Sequence, residues 1–253
     1  MTRIVKCDNV WKSFSRRSIG IKELFLGKKP LSTGRYSREW ALQAVSFDIA
    51  RGQSVGVIGH NGTGKSTLLS LLLGTILPDK GNIEVKGRIA SLLELGAGFH
   101  PELTGRENVL LYGTILGMSL REVRLVFDRI VEFSELGPAI EQPLRTYSNG
   151  MITRLGFSTI IHAPADILLI DEVLAVGDSR FQQKCLERLK QFHQDNGTLI
   201  IVSHSMQSLS EMCDVGICLD MGQVVSSGKI DDVIQYYQSA IYNDIQNNQQ
   251  ANG

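Results

Sequence analysis

One stretch decides the fold of this chain: Gly59-His-Asn-Gly-Thr-Gly-Lys-Ser66. A short apolar run, Ser54–Ile58, precedes it, and an apolar-faced segment, Leu68–Leu73, follows it. The order of buried strand, glycine-rich loop and helix start matches the pattern G-x-x-x-x-G-K-[ST], in which backbone N–H groups cradle phosphates. The sequence therefore predicts a P-loop nucleotide-binding site at this position.

Each part of this loop has a chemical role toward a triphosphate. The glycines let consecutive N–H groups turn inward, because no Cβ stands between them and the phosphate oxygens. Lys65 supplies positive charge to the β- and γ-phosphates, Ser66 offers its hydroxyl to Mg²⁺, and the helix start adds partial positive charge. The expected ATP-binding residues of the loop are Gly59, Asn61, Gly62, Thr63, Gly64, Lys65, Ser66 and Thr67.

Two carboxylates end a second apolar run, Ile167-Leu-Leu-Ile-Asp171-Glu172. The carboxyl ends of parallel strands form the edge at which open α/β sheets bind their ligands. We expect Asp171 to hold the metal through its water shell and Glu172 to polarise the attacking water as a general base.

A histidine ends a third apolar run, Leu199-Ile-Ile-Val-Ser-His204. Since this run repeats the design of the other two strands, we expect His204 to reach the γ-phosphate or the attacking water at the same edge. The other histidines show no spacing typical of a metal cluster, and we expect no role for them in the chemistry: His60, His100, His162 and His193.

Apolar runs alternate with helical patterns over most of the chain. We predict strands at residues 3–10, 42–49, 54–58, 81–87, 88–94, 165–170 and 197–202, and helices at 105–133, 150–162 and 181–194. This alternation indicates an α/β fold with a mainly parallel core sheet. Residues 214–227 are expected to form an antiparallel edge hairpin, a final helix carries an apolar stripe from Val233 to Ile245, and the polar residues 247–253 are expected to fray.

An inserted segment, Ser15 to Arg38, carries seven basic residues against one acid, Glu23. Glycine and proline interrupt it, which predicts a loop. Either it is a solvated positive loop, or it lies near the cytoplasmic leaflet, where each basic residue gains roughly 1 kcal/mol from anionic lipid. A polyprenyl pyrophosphate would offer it a second anionic partner.

Composition excludes several classes of protein. The 253 residues are 43% apolar and 21% charged, which is typical of a globular chain, and the net charge is zero, which argues against non-specific nucleic-acid binding. The sequence contains no apolar run long enough to cross a membrane and begins without a signal peptide, so we expect a cytosolic protein. The four cysteines form no Cys-x-x-Cys pair and are expected to be reduced structural thiols.

Taken with these motifs, Tyr147-Ser-Asn-Gly-Met151 resembles the signature of the nucleotide-binding subunits of ATP-binding cassette (ABC) transporters, usually Leu-Ser-Gly-Gly-Gln. The resemblance covers nearly the whole chain. It implies that Ser148, Asn149, Gly150 and Met151 dock on the ATP held by the P-loop of a second subunit, because a helix start presents donors to phosphate. Asn149 and Met151 depart from the usual signature.

Three departures look like the polysaccharide-exporting branch of this family. They are the signature itself, the stretch from Leu93 to Asn108, and Asp171-Glu-Val-Leu-Ala-Val-Gly-Asp178. By this resemblance Asp178 matches the D-loop aspartate, which communicates between the two ATP sites, and it is expected to contact the second subunit's ATP together with the signature residues. The branch moves lipid-linked O-antigen, teichoic acid or related polymers.

Further residues are candidates for contact with the metal ion and with the adenine of ATP. The family usually has a glutamine near the end of the strand at 88–94, but no glutamine occurs between Lys86 and Leu110. Glu94 is the nearest polar candidate for a metal contact, the alternative being a loop acid without a ligand. Adenine usually stacks on an aromatic ring near the first strands, where Phe14 and Trp40 are both placed.

The resemblance implies a P-loop NTPase of ABC type with an antiparallel β subdomain and a helical signature subdomain. We expect one nucleotide-binding domain at residues 1–246, with the inserted basic loop at about 15–38 and the helical subdomain at about 95–163, then a polar tail at 247–253. It would be a Mg²⁺-dependent ATPase that works as a homodimer on the cytoplasmic face of the bacterial inner membrane. Its partners would be an integral-membrane permease dimer and, through that permease, the lipid-linked glycan.

O-antigen export is the expected activity, with teichoic acid or capsule export as alternatives. A different class is a soluble ABC-type ATPase acting on nucleic acid or ribosomes. Chromosome-clamp members need a long coiled coil between P-loop and signature, and translation-type members carry two cassettes, so neither fits this chain. A non-hydrolysing ATP sensor is disfavoured by Glu172 and His204.

Overall fold

The computed structural model of the protein describes residues 2–17, 36–93, 95–96, 98–171, 177–203 and 205–251. The strands are β1 Arg3–Arg17, β2 Tyr36–Ala50, β3 Ser54–Ile58, β4 Lys80–Val85, β5 Ile89–Ser91, β6 Ile167–Asp171, β7 Thr198–Val202, β8 Val215–Asp220 and β9 Gln223–Lys229. The helices are α1 Lys65–Leu72, α2 Gly105–Ile115, α3 Leu120–Ser134, α4 Asn149–Ile161, α5 Ser179–Gln194, α6 Met206–Met212 and α7 Ile230–Ala251. Two 3-10 turns, Gly137–Glu141 and Leu144–Thr146, precede α4.

The larger sheet has six strands in the order β5-β6-β7-β3-β8-β9. All its neighbours pair in parallel except β8 with β9, which form an antiparallel hairpin at one edge. The predicted α/β fold, with a mainly parallel core sheet and an antiparallel hairpin at 214–227, is confirmed. Parallel order places the ends of β3, β6 and β7 at one edge, where the P-loop begins and Asp171 lies.

Successive side chains of each strand point to opposite faces of this sheet, and the two faces pack into separate cores. On β6, Leu168 and Ile170 join a cluster with α5 and α7, whereas Ile167 and Leu169 join a cluster with α1 and the smaller sheet. The strand that leads into the P-loop, β3, is likewise buried along its whole length, with Val55 and Val57 in one cluster and Ile58 in the other, which holds the loop that follows it in one position.

The smaller sheet is antiparallel, in the order β2-β1-β4. Its first two strands extend beyond the predicted 3–10 and 42–49, and residues 15–17 and 36–38 of the expected loop belong to them. Long-range contacts support the extension: Ser13 N and Oγ both donate to Asp79, and the Trp11 and Trp40 rings lie 5.3 Å apart. Residues 18–35 of the expected loop lie outside the described residues.

A helical region joins β5 to β6 and has its own apolar cluster, which includes Val109, Val123, Ile130 and Leu155. The single helix expected at 105–133 is two helices. Gly117 has φ +83°, and Ser119 forms a capping box with Glu122, so the chain stops α2 and starts α3 here. The helical period over these residues is as predicted, but this local stop signal divides it into two helices.

The last helix, α7, packs Val233 and Tyr237 against the core and continues to Ala251. The helix includes residues 247–251 of the expected polar tail, because amide side chains are compatible with a helix once a packed segment has nucleated it. Among the described residues, no helix is both long and apolar enough to span a bilayer.

Candidate nucleotide-binding site

A cavity of about 240 Å³ lies at the carboxyl edge of the larger sheet. It brings together residues from four distant parts of the chain. Its lining residues are Ala41, Asn61, Gly62, Gly64, Lys65, Ser66, Thr67, Asp171 and Val202. Asp171 thus shares one space with six of the eight predicted P-loop residues, all except Gly59 and Thr63.

The backbone of the loop needs glycine at two positions for different steric reasons. Gly64 has φ +103°, and a Cβ there would lie 2.5 Å from the carbonyl oxygen of Ala41. Gly59 has φ +156°, and its Cβ would lie 2.4 Å from the carbonyl oxygen of Leu219. Since these contacts are with backbone, the neighbours cannot turn aside, and the loop conformation depends on both glycines.

Lys65 lies folded over the loop. Its Nζ donates to the carbonyl oxygens of Gly59 at 2.7 Å and His60 at 2.8 Å, and the residue is only 8% exposed. Burial lowers the pKa of Lys65, while the nearby charge of Asp171 acts in the opposite direction. The side chain is thus held beside the cavity as a cation that a phosphate group would bind favourably.

Ser66 and Asp171 are the oxygen donors suited to a metal here. Both line the cavity, Ser66 in the first turn of α1 and Asp171 at the end of β6. Among the described residues, no group of three or more His, Cys, Asp or Glu is arranged as a metal site. A hydroxyl and one carboxylate fit Mg²⁺, because Mg²⁺ keeps several waters and takes its remaining ligands from phosphates.

A second cavity, of about 690 Å³, lies at the start of α4. Its lining residues are Glu135, Leu136, Ser148, Asn149, Gly150, Met151, Thr153, Arg154, Gly177 and Asp178. All five residues predicted for contact with a second subunit's ATP are therefore neighbours. Ser148 caps α4, its Oγ accepting from Met151 N at 3.2 Å, and the exposed turn presents the helix start to solvent.

The two cavities share no lining residue. The first holds a lysine, two hydroxyls and a carboxylate beside the phosphate loop, while the second combines a helix N-terminus with Arg154 and the carboxylates of Glu135 and Asp178. Only the first contains the phosphate loop, and only the second contains the signature turn.

Several predicted residues are placed differently or not at all. Glu172, His204 and Glu94 lie outside the described residues. The ring of Trp40 packs edge-on against Trp11, with Lys80 Nζ 5.8 Å from its centroid. Phe14 is 48% exposed and has Lys12 Nζ 5.8 Å from its ring centroid, so part of its surface remains open for stacking.

Four residues that line the cavities were not predicted as site residues: Ala41, Val202, Glu135 and Arg154. Two of them had a readable signal. Val202 ends the strand that precedes His204, and Arg154 lies one helical turn beyond Gly150, on the same face of α4. Ala41 and Glu135 had none, because only the packing of distant segments brings them to the cavities.

Comparison with known proteins follows the same assignment. A family model described as "ABC transporter" matches residues 42–175. The "O-antigen export system ATP-binding protein RfbB" of Klebsiella pneumoniae is 42% identical and covers 95% of this chain and 100% of its own length. The "Teichoic acids export ATP-binding protein TagH" of Bacillus cereus is 38% identical and covers 94% of this chain but 43% of its own length.

Among solved structures, the "Dimeric structure of a post-hydrolysis state of the ATP-binding cassette MJ0796 bound to ADP and Pi" superposes with a TM-score of 0.70. It is 22% identical and covers 90% of this chain and 99% of its own. This likeness establishes the fold.

Proposed function

Because this chain belongs to the ABC transporter family, we propose that two copies close around two ATP molecules and so drive export of a lipid-linked polysaccharide. The chain is the ATP-hydrolysing subunit of such an exporter. The observation that carries the dimer is the division of the site: P-loop and signature line separate cavities of one subunit.

Each cavity is chemically incomplete for hydrolysis. The P-loop cavity is open to solvent beyond Asn61 and Ser66, which are exposed. The signature turn presents a helix N-terminus in a cavity that contains none of the P-loop residues. A second copy, placed head to tail, supplies the missing half to each, and water is excluded only when both halves meet.

In the closed dimer we assign the following roles. Lys65 and the loop N–H groups bind the β- and γ-phosphates, and Ser148 and Gly150 of the partner subunit's signature turn cover the γ-phosphate. Ser66 and Asp171 hold Mg²⁺, which offsets the phosphate charge when bound. Glu172 takes a proton from the attacking water, and His204 orients the γ-phosphate. The chemistry is mainly positioning and charge stabilisation, so all parts must assemble together.

We propose that the adenine of ATP stacks on Phe14, and not on Trp40. Trp40 is already packed with Trp11 and Lys80, whereas Phe14 has nearly half of its surface exposed. Each ring has a lysine Nζ 5.8 Å from its centroid, so the greater exposure of Phe14 is what favours it for stacking.

We assign O-antigen as the cargo, with teichoic acid as the second candidate. The relatives named for O-antigen export include one matched over its whole length, whereas the TagH relative is more than twice as long as its matched part. We propose that the dimer works at the cytoplasmic face of the inner membrane on a permease dimer, which carries the glycan.

The dimer is tested with Glu172→Gln protein. Removing the general base should lower the rate of ATP hydrolysis about 10²- to 10⁴-fold and leave ATP trapped in the dimer. On a sizing column, this variant should run as a dimer with Mg-ATP and as a monomer without nucleotide. A variant that stays monomeric with ATP bound, or a Glu172→Gln protein that hydrolyses ATP normally, contradicts the assignment.

Two added changes separate the half-sites. Lys65→Ala in the Glu172→Gln background should bind no ATP, whereas Ser148→Arg should bind ATP and remain monomeric. Export is then tested in a bacterium that lacks its own copy of this subunit: the wild-type chain should restore surface polysaccharide, and Lys65→Ala should leave the lipid-linked polymer inside.

A further inference from the structure

Arg154 lies in the wall of the signature cavity and joins three segments of one subunit. It belongs to α4, one turn beyond Gly150. Its Nη2 donates to Asp178 Oδ2 at 2.5 Å, and its Nη1 donates to Glu135 Oε2 at 3.2 Å. The signature helix is thereby tied to the turn at Gly177–Asp178 and to the end of α3.

The guanidinium is held tightly in this position. It stacks over Phe181, with its Cζ 4.8 Å from the ring centroid, and its side chain is 20% exposed. Glu135 is fixed in turn by Lys184, whose Nζ donates to Glu135 Oε1 at 3.0 Å and to the carbonyl oxygen of Phe133 at 2.9 Å. A planar guanidinium that bridges two carboxylates restricts the geometry more than a lysine would.

Both carboxylate oxygens of Asp178 accept hydrogen bonds from residues of its own subunit. Its Oδ1 accepts from Phe181 N at 2.9 Å, which caps α5, and its Oδ2 accepts from Arg154. The N–H of Phe181, followed by the charge of Arg154, holds the pKa of Asp178 below its ordinary value, so the carboxylate stays ionised. A carboxylate with both oxygens engaged is poorly suited to touch a triphosphate, since like charges repel.

We propose that Arg154 is a positioning residue that anchors the signature turn to the Gly177–Asp178 turn, so that the signature turn reaches the partner subunit's nucleotide in register. The inference rests on the proposed dimer. In this account Asp178 serves as an anchor for Arg154 and is not itself a contact to ATP. Misplacing a reacting group by about 1 Å can cost 10²-fold in rate, so a small loss of register has a large effect.

The test compares Arg154→Gln, Asp178→Asn and the double variant. Asn keeps the cap on α5, because it also accepts from Phe181 N, and removes only the charge that binds Arg154. Arg154→Gln should lower kcat at saturating ATP by about tenfold or more, with ATP affinity of the monomer within about twofold. Because the two residues act as one unit, the double variant should be no slower than the slower single variant. Arg154→Lys should recover part of kcat.

Arg106→Gln is the matched control. Arg106 also lies in the helical region, binds Glu141 through Nε at 2.9 Å and Nη2 at 2.6 Å, and stacks over Phe127 at 4.4 Å. It lines neither cavity. Its removal should shift the thermal midpoint about as much as Arg154→Gln and leave kcat unchanged, which separates positioning from stability.

The ATP-trapped dimer distinguishes the inference from the proposed function. If Glu172→Gln protein fails to dimerise, the proposed function fails first. If it dimerises and adding Arg154→Gln weakens the dimer, the inference is supported. Unchanged kcat and dimerisation in Arg154→Gln, or losses that multiply in the double variant, overturn it.

Discussion

Gly64 shows how one residue links backbone sterics to ligand binding. Its φ of +103° and the carbonyl oxygen of Ala41 beside it leave no room for a side chain. Because Ala41 belongs to β2 of the smaller sheet, this contact also registers that sheet against the P-loop. A motif glycine therefore serves both phosphate binding and the packing of two sheets.

Gly64→Ala should lower ATP affinity by about tenfold or more and destabilise the fold by about 1–3 kcal/mol, since strain and a backbone clash add. Gly74→Ala is the control: Gly74 has φ +73°, with nothing within 4 Å of its Cβ position, so it adds strain alone. Urea unfolding and equilibrium binding of a fluorescent ATP analogue measure both effects. Equal ATP affinities in the two variants would refute the steric account.

At the scale of elements, one acid outside the β1–β2 hairpin adds side-chain contacts to the backbone pairing of β1 with β2 and β4. Asp79 precedes β4, and it accepts from Ser13 Oγ at 2.6 Å, from Ser13 N at 2.8 Å and from Lys12 Nζ at 3.3 Å. These contacts, led by the Ser13 hydroxyl, lower the pKa of Asp79 from 3.8 to about 2. The carboxylate form is therefore the one that secures the hairpin to β4.

This shift predicts a pH dependence. Because the pKa of Asp79 is lower in the folded state, its contribution to stability is present above about pH 4 and is lost as pH falls toward about 2. Asp79→Asn should flatten this acid limb of the unfolding free energy, and Ser13→Ala should flatten it in part. Urea titrations at a series of pH values measure it, and an unchanged limb in Asp79→Asn would rule out Asp79 as the source.

At the scale of the whole molecule, the four cysteines report on the two cores. Cys7 belongs to the core beneath the smaller sheet, and Cys185, Cys213 and Cys218 belong to the opposite one. All four are free and buried, as expected of reduced structural thiols. Burial raises the pKa of the first three to about 12 and that of Cys218 to about 11.

The native protein should therefore react negligibly with a thiol reagent at pH 8, whereas the denatured chain should show all four thiols. Mg-ATP should slow native labelling of the Glu172→Gln protein further, because binding favours the folded state. Rapid native labelling of any cysteine would show that its core opens locally.

The sequence by itself determined the local elements and most of the chemistry. Glycines, Lys65 and Ser66 lie within a few residues of one another, and the apolar runs that precede Asp171 and His204 predict strands whose ends share an edge. Patterns of this kind involve residues that are close in sequence, so they can be recognised without knowing which distant segments pack against them. They also indicate the family, because its motifs are short and contiguous.

Only the tertiary structure decided how distant segments meet. Ala41 reaches Gly64 because two sheets pack together, and Arg154 reaches Asp178 because α4 and α5 lie side by side. Neither pair has a spacing that a helix or strand period could reveal. The extended pairing of β1 with β2 likewise depends on cross-strand contacts, whereas the break between α2 and α3 follows from the local signals at Gly117 and Ser119. Long-range packing selects among conformations that the local sequence permits, so these long-range pairings required the folded molecule.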